Sequence, residues 1–552
     1  MRILIVVPRS LNKDDINYNY LFPLGLGYIS SVLKQAGFQV DCLNLNHRSG
    51  NVEKLIHDVL NTAGKFDFVC TGGLSPHYHR VKEIVCAVHS HESNTKIILG
   101  GGLISSEPEL MLNALNPDFI VIGEGEKAIV ELLSCVDING NPGEVLGIGY
   151  RGKSGQIICN KPQPAIMDLD SLPWPDFEIF EFDRYLDNLK PSDQYFYDLF
   201  DSPRVYPLVC SRSCPYSCTF CFHPLGNKYR QRSLDSVMSE LEFAIKRYRI
   251  NLIAIYDELF SCDRERVYEF CRRIKKLFEE VPWECRWGCQ MRVEGLDEEF
   301  LKTMKDAGCY MVSYGFESYS PVVLNSMKKH ITTEQIDNAI PVTLKNNVSI
   351  QGNFIFGDKA ETTQTANETL DYWKRNNYAG IILGFINPYP GTELYNNCIK
   401  KMIIRDRLDF IENHISANIN MTDVMTDEEF DKLRLDIFEA ELRYSMYALP
   451  LSLSKTDVRT YQIRVKCPHC SEIVEYKNYQ ISYRLFYNKM LYCRQCRRRF
   501  FLVSVLYHYM IKIYLLIYPF TTKRIKTIAY NAKDNLVHLK LWLMEKYGRL
   551  VL

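Results

Sequence analysis

The run Cys210-Ser-Arg-Ser-Cys214-Pro-Tyr-Ser-Cys218-Thr-Phe-Cys221 constrains this chain more than any other stretch. It contains a C-x3-C-x2-C triplet, Cys214, Cys218 and Cys221. Thiols this close along a chain do not easily pair as disulfides with one another, but they can converge on one metal centre. A closed zinc site takes four protein ligands, usually as two spaced pairs, so a zinc knuckle is the rival reading of a tight triplet. Three sulfurs on a 4Fe–4S cluster leave the fourth iron without a protein ligand and open to a small molecule. Cys210 ends an apolar, strand-like run (Val205–Val209) and reads as a strand-end residue rather than a fourth ligand.

With Phe220 placed before Cys221, the triplet resembles that of the radical S-adenosylmethionine (radical SAM) superfamily. The resemblance implies that Cys214, Cys218 and Cys221 hold a catalytic 4Fe–4S cluster whose open iron binds the amino and carboxylate groups of SAM. Reduction then cleaves SAM to a 5′-deoxyadenosyl radical. The electron would come from a donor such as flavodoxin or ferredoxin.

The chain has 552 residues, enough for several domains with real cores. Lys plus Arg and Asp plus Glu each number 66, so no global field draws nucleic acid or anionic lipid, and only local patches could. Nineteen cysteines are scattered, with two tight clusters, and Met1–Val7 is too short for a secretory signal core. This reads as a reducing, cytoplasmic compartment with metal sites.

Residues 1–140 alternate strand and helix patterns, with strands expected at Ile3–Val7, Gln39–Leu43, Phe66–Cys70, Lys96–Leu99 and Phe119–Ile122. Short apolar strands between helices predict an α/β, flavodoxin-like, doubly wound parallel sheet. Glycine-rich loops follow three strands: Thr71-Gly72-Gly73, Gly100-Gly101-Gly102 and Gly123-Glu124-Gly125. Together with Pro23-Leu-Gly-Leu-Gly27 they resemble the cobalamin-binding domain that precedes many radical SAM cores. The resemblance implies cofactor contacts from Thr71, Gly72, Gly100, Gly101, Gly102, Gly123 and Glu124. Cobalamin domains that supply a histidine to cobalt carry Asp-x-His-x-x-Gly after the first strand. Here that region, Pro8 to Asn17, has no histidine, so cobalamin held without one is implied, with loss of the cofactor as the alternative.

Residues 141–195 read as a hairpin (Gly147 to Cys159) and an acidic, proline-rich linker (Met167 to Asp176). A second βα series over 196–400 suits a partial (βα)6 barrel, with strands at Val205–Val209, Leu252–Tyr256, Glu284–Trp287, Met311–Tyr314, Ser349–Phe356 and Gly380–Phe385. Chemistry in such barrels collects at the carboxyl ends of the strands, which is where the triplet falls. By the same resemblance Asp257 and Glu258 hold the SAM amino group, Glu317 and Ser318 its ribose or methionine part, and Gly357 the adenine side. Asp358-Lys359 replaces the usual apolar-proline pair there. Glu361 and Glu393 read equally as first-turn helix charges, and Arg292 as a structural ion pair.

Residues 401–460 are charged and helical. In 461–500, Cys467-Pro-His-Cys470 and Cys493-Arg-Gln-Cys496 have the spacing of a zinc ribbon, four thiolates closing one tetrahedron. A rubredoxin-like iron or an auxiliary cluster is the rival. Arg494, Arg497, Arg498 and Arg499 crowd the second pair, as a solvated basic edge or a phosphate contact. Residues 501–552 form an aromatic-rich helical tail. Phe500–Phe520 is about long enough to span a bilayer, but Lys512 near its centre costs about 3 kcal/mol there. A helix packed on the protein or lying in the membrane interface is the expectation, and Leu536–Tyr547 reads the same way.

The expected activity is a cobalamin-dependent radical SAM methyltransferase acting on an unactivated carbon. The alternatives are a non-methylating rearrangement, cyclisation or oxidation with the same cofactors, and a zinc-ribbon binding protein with a vestigial barrel. The substrate expected is a small molecule, and the basic ribbon and aromatic tail tilt toward a phosphorylated or lipid-like one.

Overall fold

The computed structural model describes residues 1–11, 15–62, 64–92, 94–193, 198–481, 484–527 and 529–530. The chain falls into two compact units. The first comprises residues 1–314, 327–330 and 386–419, and the second residues 315–326, 331–385 and 420 onward.

The first unit opens with β1 (Arg2–Val7), β2 (Gln39–Asn44), β3 (Phe68–Gly72), β4 (Lys96–Gly100) and β5 (Phe119–Val121). They pair in parallel in the order β2–β1–β3–β4–β5, which is the flavodoxin-like order. Ile3, Leu4, Ile5 and Val6 are all buried although neighbours point to opposite faces. Helices cover both sides, so a continuous apolar run replaces alternation. The hairpin expected in the connection extends this sheet instead: β6 (Ile148–Arg151) adds antiparallel to β5, and β7 (Ile157–Cys159) antiparallel to β6.

The connection is locked to the same domain. Glu181 bridges the Arg48 guanidinium at 2.7 and 3.0 Å and accepts from His47 Nδ1 at 2.8 Å. His47 is fully buried, and its Nε2 meets the Tyr20 hydroxyl at 2.9 Å. Asp176, at the end of the proline-rich run, takes the Ser30 hydroxyl and Lys34 Nζ, both at 2.7 Å.

The second βα series begins in the first unit with β8 (Val205–Leu208), β9 (Ser211–Arg212), β10 (Arg230–Gln231), β11 (Leu252–Ile255) and β12 (Arg286–Met291). β8, β11, β12 and the start of β13 (Cys309–Glu317) pair in parallel in that order. The helices between them start at side-chain caps, Ser233 for Leu234–Tyr248 and Asp263 for Arg264–Glu279. β13 passes from the first unit into the second.

In the second unit β14 (Ser349–Phe356) and β15 (Ile381–Phe385) pair in parallel. Helix Asp427–Tyr444 starts at a reciprocal cap between Thr426 and Glu429. It is followed by β16 (Tyr447–Ala448), β17 (Pro450–Asp457), β18 (Thr460–Lys466), β19 (Ile473–Gln480), β20 (Asn488–Tyr492) and β21 (Arg499–Val503). These form two three-stranded sheets, β17–β18–β19 and β16–β21–β20, around a core that includes Ile463, Val465, Tyr476, Tyr479, Leu491 and Phe500. The apolar stretch from Phe500 therefore divides. Its first residues are strand β21, and Ser504 caps a separate helix, Val505–Ile517. Leu536–Tyr547 lies outside the described residues, and no described helix is long and apolar enough to cross a membrane.

Burial alone would raise the Glu181 carboxyl, but the Arg48 and His47 hydrogen bonds hold it down at about 2. Folding thus favours its ionised form. The stabilisation is present above the ordinary value of 4.5 and is lost as pH falls toward 2. Glu181→Gln is expected to cost roughly 1–2 kcal/mol at neutral pH. Its urea midpoint should fall less steeply than the parent's across that acid window.

Candidate functional site

The cysteine loop leaves β8 and is closed at its base by the antiparallel pair β9–β10, where Arg212 faces Arg230. Three segments hold it. The Thr219 N–H donates to Met327 carbonyl at 3.1 Å, and the Leu394 N–H donates to Thr219 carbonyl at 2.9 Å. Cys218 Sγ lies 3.7 Å from the Lys328 carbonyl. The Arg292 guanidinium stacks over Tyr216 at 3.7 Å while pairing with Glu294, so the structural reading of Arg292 holds with an added role in supporting the loop. Within the loop the Cys221 N–H donates to Cys218 carbonyl at 3.1 Å.

Among the described residues, Cys214, Cys218 and Cys221 do not form a group with all ligand atoms within 4.8 Å. Such spacing suits one ion, whereas a cubane distributes its thiolates over different irons. The donor set, three thiols on one clamped loop, fits a cluster. Burial, with Glu258 adding to it, raises the Cys214 thiol, so loading a metal there releases a proton. Cys210 is fully buried, its thiol pushed far up by that burial, as a strand-end residue should be.

The two carboxylates after β11 differ. Asp257 is buried and accepts the Cys210 N–H at 2.7 Å and the Ser211 hydroxyl at 2.6 Å. Burial lifts it to about 6. Both oxygens anchor the start of the cysteine loop. Glu258 is 37% exposed and 3.5 Å from His223 Nδ1, which makes it the carboxylate open to a ligand.

The glycine loops stand along the carboxyl edge of the N-terminal sheet. Thr71 Oγ1 donates to Val6 carbonyl at 2.8 Å, inside the sheet. A Cβ on Gly72 would lie 2.2 Å from the Gly100 carbonyl oxygen, so β3 and β4 end closer than any other residue allows. Gly101 turns the chain with φ +86°. Gly100 and Gly123 have nothing closer than 3.9 Å where a side chain would be, a bare backbone edge that fits a bulky cofactor.

Two sequence-distant parts meet at Phe222, the residue after Cys221. A Cβ on Gly102 would come within 2.9 Å of its ring, and one on Gly391 within 2.5 Å. The cysteine loop therefore packs directly on the glycine edge. Glu124, expected among the cofactor contacts, points elsewhere. Its carboxylate takes Arg230 Nη1 at 2.8 Å, Arg212 Nη1 at 3.1 Å and the Ile166 N–H at 2.7 Å. Glu126 takes Arg212 Nη2 at 2.6 Å. Arg212, Arg230, Ser211 and Phe222 escaped the sequence reading. Only the position of Phe222 beside the last cysteine signalled anything.

In the second unit Glu317 ends β13 in the left-handed region (φ 61°) and is buried. Ser318 Oγ bonds with Thr369 Oγ1 at 3.1 Å. The Gly357 N–H donates to Glu361 at 2.5 Å. Burial raises Glu361 to about 8, and its other oxygen has no hydrogen-bond partner.

Cys467, Cys470, Cys493 and Cys496 do converge, with all ligand atoms within 4.8 Å. Cys467 and Cys496 sulfurs are 3.8 Å apart, as are those of Cys470 and Cys493. Ser471 and Arg497 follow each pair in the left-handed region, the tight turn a knuckle needs. His469 Nε2 meets the Arg499 carbonyl at 2.9 Å, so it ties the knuckles together rather than binding metal. The nearby arginines are committed to rings: Arg494 over Tyr476 at 4.8 Å, Arg498 over Tyr378 at 5.4 Å, and Arg497 and Arg499 over Tyr492 at 5.7 and 5.6 Å. The basic edge is largely internal packing.

Removing one member of the Glu124–Arg230 pair, which is almost wholly buried, leaves a charge uncompensated. Arg230→Met is expected to destabilise the first unit by about 3–5 kcal/mol, read as a lowered urea midpoint. Arg230→Lys should recover only part of it, because a point charge cannot reproduce the guanidinium's contacts.

Residues 18–133 match the B12 binding domain family and residues 208–372 the Radical SAM superfamily. The chain is 27% identical over 413 residues to an uncharacterized methyltransferase of Pyrococcus horikoshii, covering 73% of this chain and 84% of that one. It is 26% identical over 416 residues to the anaerobic magnesium-protoporphyrin IX monomethyl ester cyclase of Rubrivivax gelatinosus, covering 74% and 71%. Among solved structures, the radical SAM methyltransferase TsrM from Kitasatospora setae shares the fold with a TM-score of 0.58 at 18% identity, covering 72% of this chain and 76% of that one. The chain therefore carries a B12-binding domain ahead of a radical SAM domain, with the cysteine triplet clamped near the start of the second.

Proposed function

We propose that this enzyme transfers a methyl group from SAM to an unactivated carbon of a small-molecule substrate. The observation that carries the reading is the seating of Phe222 between Gly102 and Gly391, which sets the cysteine loop against the glycine edge. When bound, the 4Fe–4S cluster, SAM and cobalamin supply the one-electron cleavage and the methyl carrier. Cys214, Cys218 and Cys221 hold the cluster. Glu258 offers a carboxylate to the SAM amino group. Thr71, Gly72, Gly100, Gly101, Gly102 and Gly123 line the cobalamin edge, with no histidine from the Pro8–Asn17 region. In the second unit, Glu317, Ser318 and Gly357 are the residues proposed for the ribose and adenine parts. Phe222 keeps water out of the seam it fills.

The relatives support methyl transfer, since the P. horikoshii protein and TsrM both carry that description. Radical cyclisation without methyl transfer is the second reading, favoured by the R. gelatinosus cyclase. The four-cysteine site is proposed to hold a structural Zn2+, because its sulfurs already close on one another without help from His469. The chemistry calls for a flavodoxin- or ferredoxin-type electron donor. No disulfide joins the cysteines among the described residues, and a reducing cytoplasm is the proposed compartment.

Product analysis with methyl-labelled SAM separates the two readings: label in the product supports transfer, and its absence alongside turnover supports cyclisation. Cys218→Ala is expected to abolish reductive SAM cleavage while leaving the unfolding free energy of the metal-free protein, from urea titration, within about 1–2 kcal/mol of the parent. Deoxyadenosine formed by that variant at the parent rate would sink the cluster assignment. Metal analysis should find one zinc per chain, lost in Cys470→Ser together with Cys493→Ser while the iron content stays unchanged.

A further inference from the structure

Helix Val505–Ile517 is apolar on both sides. Its inner face sets Ile511, Tyr507, Tyr514 and Leu515 against Phe438 and Leu442. Its outer face presents Leu506, Tyr509, Ile513 and Leu516, followed by Phe520, which is 88% exposed. At the helical repeat these residues fall in one row. Single exposed apolar side chains are ordinary on a protein surface, but a continuous row is not. Lys512, at the edge of the row, is the one Lys or Arg in the helix.

A second observation says what the row meets. No aspartate or glutamate occurs between Glu475 and Asp534, although the chain as a whole balances 66 acids against 66 bases. Lys512, Lys523 and Arg524, all exposed, lie along or just beyond the helix. A nucleic acid would satisfy the charge but leave the apolar row in water. An anionic bilayer surface satisfies both, taking the row at the acyl boundary and the bases at the headgroups. The helix is too short to cross.

We propose that helix Val505–Ile517 docks this enzyme, lying in the plane of an anionic lipid surface. The claim stands apart from the methyl-transfer reading. The test is sedimentation of the full chain with vesicles of phosphatidylcholine alone, or of equal parts phosphatidylcholine and phosphatidylglycerol. Binding to the mixed vesicles is expected, weakened by salt, with little on phosphatidylcholine alone. Leu506→Ser combined with Ile513→Ser should lower partitioning roughly a hundredfold. Lys523→Gln with Arg524→Gln should lower it about tenfold and flatten the salt dependence. An unchanged urea unfolding midpoint shows that each variant is folded. The proposal is overturned if the full chain ignores both vesicle types, or if the serine variant binds as the parent does. It is equally overturned if binding appears only after residues 531–552 are removed, which would mean that they cover the row in cis. Self-association abolished by the same substitutions, without vesicle binding, would assign the row to a second copy and also overturn it.

Discussion

Four charged side chains withdrawn from water hold the first unit in register. Glu124 belongs to the last glycine loop of the N-terminal sheet and Glu126 to the first turn of the helix after it, and Arg212 and Arg230 belong to the two short strands that close the cysteine loop. Such a cluster does not persist with one member missing, because the remaining charge is left in a low-dielectric interior. It therefore enforces one relative placement of the two loops. The Ile166 N–H on Glu124 brings the connecting segment into the same arrangement.

The acids around the site are sorted by what surrounds them. Asp257 and Glu124 are buried with donors on both oxygens, and they position backbone. Glu258 keeps solvent access and one loose neighbour, His223, and it is free to meet a cation. Glu361 is buried with a single backbone donor, so it stays protonated around neutrality and can offer a hydrogen bond instead of a charge. Four carboxylates at strand ends thus differ in behaviour although their sequence contexts look alike.

Most of the scaffold was legible beforehand. The parallel strands are short apolar runs, and helix Leu234–Tyr248 announces itself by Ser233 and its repeat. The triplet and the two C-x2-C pairs need only spacing to be read. What escaped depends on contacts between residues far apart in the chain. Nothing near Glu124 says that Arg230 will reach it, and nothing in Gly102 or Gly391 says that an aromatic ring will fill the space between them. The hairpin strands β6 and β7 looked like connection because what joins them to the sheet is the pairing of β6 with β5, which is only three residues long. Phe500–Val503 looked continuous with the helix after it because both are apolar, and the strand is distinguished by its pairing with β20 and β16.

The acid-free run between Glu475 and Asp534 has a consequence for the rest of the molecule. Because the totals cancel, everything outside that run must carry a matching excess of negative charge. An isoelectric point near 7.1 then describes no part of the protein: one portion behaves as a polycation and the remainder as a polyanion. At low ionic strength such a zwitterionic chain attracts its own copies, and added salt should dissolve it rather than precipitate it.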